Sequence, residues 1–355
     1  MAVTIGDVAR RAGVSIATVS RVLSPGPDQH PVSALTAQRV RQAARELRFV
    51  PSAIARGLVA RRSGLLGLVV PDLTDPYYPQ IASGVEDAAH HAQLAILICN
   101  TLGDPAHLSE YLDLLRGRRV DGVLLSGGSS LGADELRLVV QSGLPVVLIG
   151  RPGYDVELPY VSVDNVSAAR AATVHLIGLG RSRVLHLGGP PTQTTMVDRY
   201  TGYLQATDAA GMEPSALITS GSPEEAYQKI EQELVQSTFD AVFAATDRLA
   251  IAALAALNDA GRAVPDEVAV IGFDDLPLAA FMRPALASVA QPAEALGRAA
   301  VEVAIGTAVA PQVLHAELVI RASAQPALSG SPARRRVPTS SARRGARAPP
   351  RPPPT

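Results

Sequence analysis

The stretch VTIGDVARRAGVSIATVSRVL, residues 3–23, decides how the rest of the chain is read. Thr4 followed three residues later by Asp7 is a helix N-cap with a carboxylate able to reach back to it. Ile5, Val8, Ala9 and Ala12 then recur at i, i+3, i+4 and i+7, one face of a helix. Gly13 breaks that helix, and Ser15 caps a second one running to about Leu23. In the second helix Val19, Val22 and Leu23 share a face, while Ala17 and Arg21, four apart, share the opposite one. Outward from this stretch, Ser24-Pro25-Gly26-Pro27 is a loop. Ser33 caps a third helix striped by Val40, Ala44 and Leu47. Two short helices joined by a glycine-bearing turn form a helix-turn-helix, whose second helix can enter a DNA major groove. A plain three-helix bundle has the same periodicity. Charge favours the DNA reading, since residues 1–62 hold ten arginines against three acids, Asp7, Asp28 and Glu46.

The whole chain has 355 residues, room for two or three domains. Apolar residues make up 47% and charged ones 18%, so a sizeable core is expected. The single cysteine, Cys99, excludes an intramolecular disulfide and a cysteine-rich zinc site. No apolar run is long enough for a transmembrane helix. The N-terminus lacks the apolar stretch of a signal peptide, so a cytoplasmic location, associated with the nucleoid, is expected. The net charge of −1 hides an asymmetry, because residues 63–327 hold 15 basic and 30 acidic side chains. Residues 328–355 hold seven arginines and no acid. The segment 326–355 is rich in Arg and Pro and is expected to be a disordered tail.

From Leu65 onward, short apolar runs alternate with amphipathic helical segments. The runs include LLGLVV (65–70), LAILIC (94–99), PVVLIG (145–150), YVSV (160–163), VAVIGF (268–273), LASVA (286–290) and ELVIRA (317–322). Eleven such runs fit two doubly wound parallel-sheet lobes better than one closed eight-stranded barrel. A ligand then belongs at the carboxyl ends of the strands, between the lobes. No catalytic set is found: SGGSSLG (126–132) matches no phosphate-binding motif, and His90-His91 lacks metal-ligand spacing. Cys99 ends an apolar run and is expected in the core. No enzyme activity, cofactor or metal is therefore expected.

Together, residues 3–323 resemble the lactose-repressor/galactose-repressor family of bacterial transcription regulators. The resemblance is carried by residues 3–23, by VRQAARELRFVPSAIARGL (40–58), and by GLVVPDLTDPYY, VSVDN, DRYTGY, ATDRLAIAAL and VPDEVAVIGFDD downstream. It implies a small all-α headpiece at 1–50, a hinge helix and linker at 51–62, and a periplasmic-binding-protein-like core at 63–325. Lobe one is placed at 63–162 and 291–323, and lobe two at 163–290. The resemblance implies a homodimer, a palindromic operator in double-stranded DNA, and allosteric control by a small ligand such as a sugar.

By the same resemblance Ile16, Ala17 and Arg21 read base edges, and Thr4, Ser15, Thr18 and Ser20 contact phosphates. A planar Arg21 suits a guanine edge, and Ala17 offers only apolar contact. Ile16 lies at the flank of its helix, so a core role stays open for it. Leu58 matches a minor-groove leucine and Ala55 its small neighbour. Arg199 and Asp274 match effector contacts, though the two could also be a structural ion pair. Tyr77 and Tyr78 match aromatic ligand contacts, Thr246 is a further effector-binding candidate, and Arg151 and Asp164 flank the inter-lobe region. Gly150 and Thr246 stand where the family commonly has Asp and Asn, so effector identity does not transfer. A sugar-binding transport receptor would share the core but need a signal peptide and no headpiece.

Overall fold

The computed structural model describes residues 3–23, 32–49, 63–127, 131–153, 156–236 and 238–325. The loop 24–31, the stretch 50–62 with Ala55 and Leu58, and the tail from Pro326 lie outside these described residues.

Three helices come first: α1 (Ile5–Ala12), α2 (Ile16–Leu23) and α3 (Ala34–Glu46). Thr4 and Asp7 form the expected reciprocal cap, with the Thr4 amide donating to Asp7 Oδ2 at 2.9 Å and the Asp7 amide to Thr4 Oγ1 at 3.3 Å. Gly13 ends α1 with φ +64, a left-handed backbone that glycine adopts without a Cβ clash. The Ser15 hydroxyl accepts the Thr18 amide at 3.1 Å, and Ser33 accepts that of Thr36 at 3.3 Å. Val8, Ala9, Ala12, Val19, Val22, Val40 and Ala44 bury together as one small core.

Two lobes follow. The first contains β1 (Leu65–Val70), α4 (Tyr77–His91), β2 (Ala95–Asn100), α5 (Pro105–Gly117), β3 (Gly122–Ser126), α6 (Ala133–Gln141), β4 (Val146–Ile149) and β5 (Tyr160–Val163). The second contains α7 (Asn165–Gly178), β6 (Val184–Gly188), α8 (Thr194–Ala209), β7 (Ser215–Ile218), α9 (Pro223–Gln236), β8 (Ala241–Ala244), α10 (Asp247–Asp259), β9 (Ala269–Asp274) and β10 (Ala287–Ala290). The chain then returns to lobe one with α11 (Ala293–Ala304) and β11 (Gln312–Leu314), and crosses again to β12 (Glu317–Val319). The sheets run β11-β5-β4-β3-β1-β2 and β12-β10-β9-β8-β6-β7, parallel throughout except β12. Each strand of the interior is apolar on both faces because helices cover both. Val70 and Leu68 face α4 and α11, while Val69 between them faces α5 and α6. The α4–α11 crossing is so close that a Cβ on Gly84 would lie 1.9 Å from the Glu294 carbonyl oxygen.

The boundary of lobe one needs correcting. The sequence resemblance places residues 317–323 there, but β12 pairs antiparallel with β10 of lobe two. The short run 312–314, not expected as a strand, is the one that pairs with β5 of lobe one. Three residues at a half-exposed edge carry too little periodicity to be read as a strand.

Candidate functional site

On α2, burial of Val19 and Val22 turns Ile16, Ala17 and Arg21 outward. Ile16 is 54% exposed, so the core role left open for it is not the one it has. Thr4 and Ser15 are exposed and Thr18 and Ser20 half-exposed. The turn before α2 is braced by a residue that the helical stripes did not single out. Arg39 of α3 donates to the carbonyl oxygens of Ala12 and Gly13, and Arg11 pairs with Glu46 at 2.5 Å. These bonds tie α3 to α1 and to the turn that leads into α2.

A cavity of about 400 Å³ lies between the carboxyl ends of the two sheets, in the size range of small-molecule sites. Arg199, on α8, is 4% exposed and lines it. Its Nε donates to Asn165 Oδ1 at 3.0 Å and its Nη1 to the Ala245 carbonyl at 2.5 Å. The guanidinium lies 3.7 Å from the centroid of the Phe273 ring, a cation–π contact. Burial lowers the Arg199 pKa, and the Asp274 carboxylate pulls it back up.

Asp274, the last residue of β9, faces Arg199 at 3.7 Å. That is longer than a hydrogen bond, so a ligand hydroxyl can engage both groups. Burial pushes the Asp274 carboxyl up to about 7, although the Arg199 charge opposes this. Gln291, in the crossing from β10 to α11, donates to Asp274 at 2.7 Å and accepts from the Tyr77 hydroxyl at 3.3 Å. Tyr77 and Tyr78 meet edge to face at 5.5 Å, and burial raises both phenol pKa values. They are therefore neutral donors beside an apolar wall, suited to the C–H faces of a ring.

Thr246 also lines the cavity, but its hydroxyl caps α10 by accepting the Leu249 amide at 3.3 Å. Arg151 is absent from the cavity lining. Its guanidinium is taken by Asp198 of lobe two at 2.7 Å, an ion pair between the lobes. Asp164 likewise caps α7 through the Ser167 amide at 3.0 Å. A second inter-lobe pair joins Asp75 to Arg248 at 3.1 Å, and both residues line the cavity. Asn165, Gln291, Arg248 and Asp75 were not foreseen. A signal that would have found Gln291 is its place just past the carboxyl end of β10, as Asp274 closes the carboxyl end of β9. Among the described residues no group of three or more His, Cys, Asp or Glu could hold a metal, and no helix is long and apolar enough to cross a membrane.

Known proteins match both parts. Residues 4–52 match the family of bacterial regulatory proteins, lacI family. Residues 63–317 match periplasmic binding proteins and sugar binding domain of LacI family. The ribose operon repressor of Halalkalibacterium halodurans is 35% identical over 83% of this chain and 87% of its own. The HTH-type transcriptional regulator DegA of Bacillus subtilis is 33% identical over 92% and 99%. A solved complex of the transcriptional regulator CelR with cellobiose is 32% identical, with a TM-score of 0.67 over 90% of this chain and 99% of that one. The lac repressor dimer bound to operator and the anti-inducer ONPF is 24% identical with a TM-score of 0.81 over 91% and 99%, a likeness of fold.

Proposed function

The chain belongs to the lacI family of bacterial regulatory proteins, and from that premise we propose that it is a dimeric repressor of a palindromic operator, controlled by a sugar bound between its lobes. The relatives are transcriptional regulators, not enzymes. The observation that carries the effector reading is the buried Arg199–Asp274 pair facing the inter-lobe cavity of about 400 Å³. A guanidinium and a carboxylate side by side offer donors and acceptors to vicinal hydroxyls, and the two tyrosines offer a ring-stacking wall.

In this reading Arg21 and Ala17 read base edges together with Ile16, while Thr4, Ser15, Thr18 and Ser20 hold phosphates. Leu58 and Ala55 act in the hinge, which lies outside the described residues. Tyr77, Tyr78, Arg199 and Asp274 contact the effector, Thr246 shapes its wall, and Arg151 acts at the rim through Asp198. The ligand shifts operator affinity by binding one arrangement of the lobes better than the other. The test is a thermal-shift screen of sugars on the full chain, followed by DNA binding with and without the sugar that shifts it. A sugar that stabilises the chain and changes DNA affinity supports the reading. Stabilisation by nucleobases alone, or no effect on DNA, contradicts it.

A further inference from the structure

Asp247, the first residue of α10, is fully buried and does not line the cavity. Its Oδ2 accepts the Leu276 amide at 2.7 Å, and its Oδ1 accepts the Ser288 hydroxyl at 2.6 Å. Ser288 in turn accepts the Asp275 amide at 3.0 Å. One carboxyl group thus holds both amides that follow Asp274, one directly and one through a hydroxyl.

That segment has to be held. Asp274 has φ +117 and Asp275 φ +54, two successive side-chain-bearing residues in a region L-residues avoid. The approach of Asp247 is possible only beneath a glycine, because a Cβ on Gly272 would lie 2.2 Å from Asp247 Oδ1. From the other side Arg321 grips the Asp275 carboxylate with both Nη atoms, at 2.5 and 3.1 Å. It also donates to the Leu286 carbonyl at 2.8 Å. Asp275 is therefore fixed through its amide and its side chain. The Asp274 carboxylate that precedes it is directed to Arg199 and Gln291 in the cavity.

We propose that Asp247, acting with Ser288, is a positioning residue of the effector site: it sets the 274–276 turn and so aims Asp274 without touching the ligand. This rests on the effector reading of the cavity. Burial and the nearby Asp274 both push the Asp247 carboxyl up, to about 8, while its hydrogen bonds from Ser288 and Leu276 pull it down. The N-terminal end of α10 favours a carboxylate there.

The test uses the full chain with Asp247→Asn and, separately, Ser288→Ala, read first by amide hydrogen exchange without ligand. Exchange at Asp275 is expected to rise at least tenfold in both variants, with a similar rise at Leu276 in Asp247→Asn, while the amides of β6 and β8 stay as protected as before. Ser288→Thr, which keeps the hydroxyl, restores protection at Asp275. D-Ribose and cellobiose, tested as probes, bind these two variants at least tenfold more weakly than the unmodified chain. Unchanged protection at 275 in both variants, or a loss spread evenly over the second sheet, overturns the positioning role. Should Asp247→Asn fail to fold, Ser288→Ala decides the matter alone. If no sugar shifts the unmodified chain, the effector reading fails instead, and the ligand-free exchange result still judges the turn.

Discussion

Replacing Arg199 by alanine should be the most informative single change in the core. The substitution removes the donors that Asn165 Oδ1 and the Ala245 carbonyl receive, and the cation over Phe273. Each buried acceptor left unpaired costs about 1–3 kcal/mol, and the lost cation–π contact about 2 kcal/mol when desolvated. Relief of burying the guanidinium offsets part of this. Breaking a buried pair by removing one partner costs about 3–5 kcal/mol in all. The sign of the pH dependence follows from Asp274. Its carboxyl is already raised to about 7, so the folded state binds more protons than the unfolded state from the ordinary aspartate value of 3.8 upward. Ionisation therefore lowers stability as pH rises through that window. Without Arg199 the carboxyl rises further, and the variant's deficit grows as pH increases. Urea unfolding of both proteins at about pH 6 and about pH 8.5 measures this. A deficit below about 1 kcal/mol at both pH values, or one that shrinks with pH, would refute the reasoning.

Arg21→Ala should lose about 1–3 kcal/mol of operator affinity and relax preference at one base pair per half-site; equal weakening on every sequence in a competition assay would remove its base-reading role. Effector affinity should rise with pH through about 7, where Asp274 ionises, because a carboxylate accepts sugar hydroxyls more strongly than the neutral acid does. Calorimetry in two buffers of different ionisation heat should accordingly detect proton release on binding. The partly exposed Asp75–Arg248 pair should show a coupling of about 0.2–1 kcal/mol in a double-mutant cycle on stability, and Arg248→Gln should widen the cleft in solution scattering. Truncation after Ser329 removes seven arginines and should flatten the salt dependence of DNA binding while leaving operator ranking unchanged; an unchanged slope would make the tail an inert appendage.

Local signals were the most legible part of the chain. The Thr4–Asp7 cap, the Gly13 break and the Ser15 and Ser33 caps each depend on contacts within a few residues, and each is formed as read. Buried parallel strands were equally plain, since covering both faces makes continuous apolar runs. What sequence could not reveal was pairing between distant segments. Residues 312–314 and 317–319 are short and half-exposed, and only their partners β5 and β10 define them as strands of different lobes. The same holds at the cavity. Arg199, Asp274, Tyr77 and Tyr78 come together there, while Arg151 is drawn to Asp198, 47 residues away in the chain. Gln291 and Asn165 enter because strand ends converge in space, and Asp247 acts through Leu276 and Ser288.

The central claim is that ligand binding in the core and DNA binding by the headpiece are coupled. The direct measurement is fluorescence anisotropy of the full chain on a duplex from the region upstream of its own coding sequence, titrated with and without the stabilising sugar. It is paired with calorimetry of that sugar with and without the duplex. A coupling of about 1–3 kcal/mol is predicted, a shift of about 5- to 150-fold in either affinity, equal in both directions. Sugar affinity unaltered by DNA, in a chain that binds both, would contradict it.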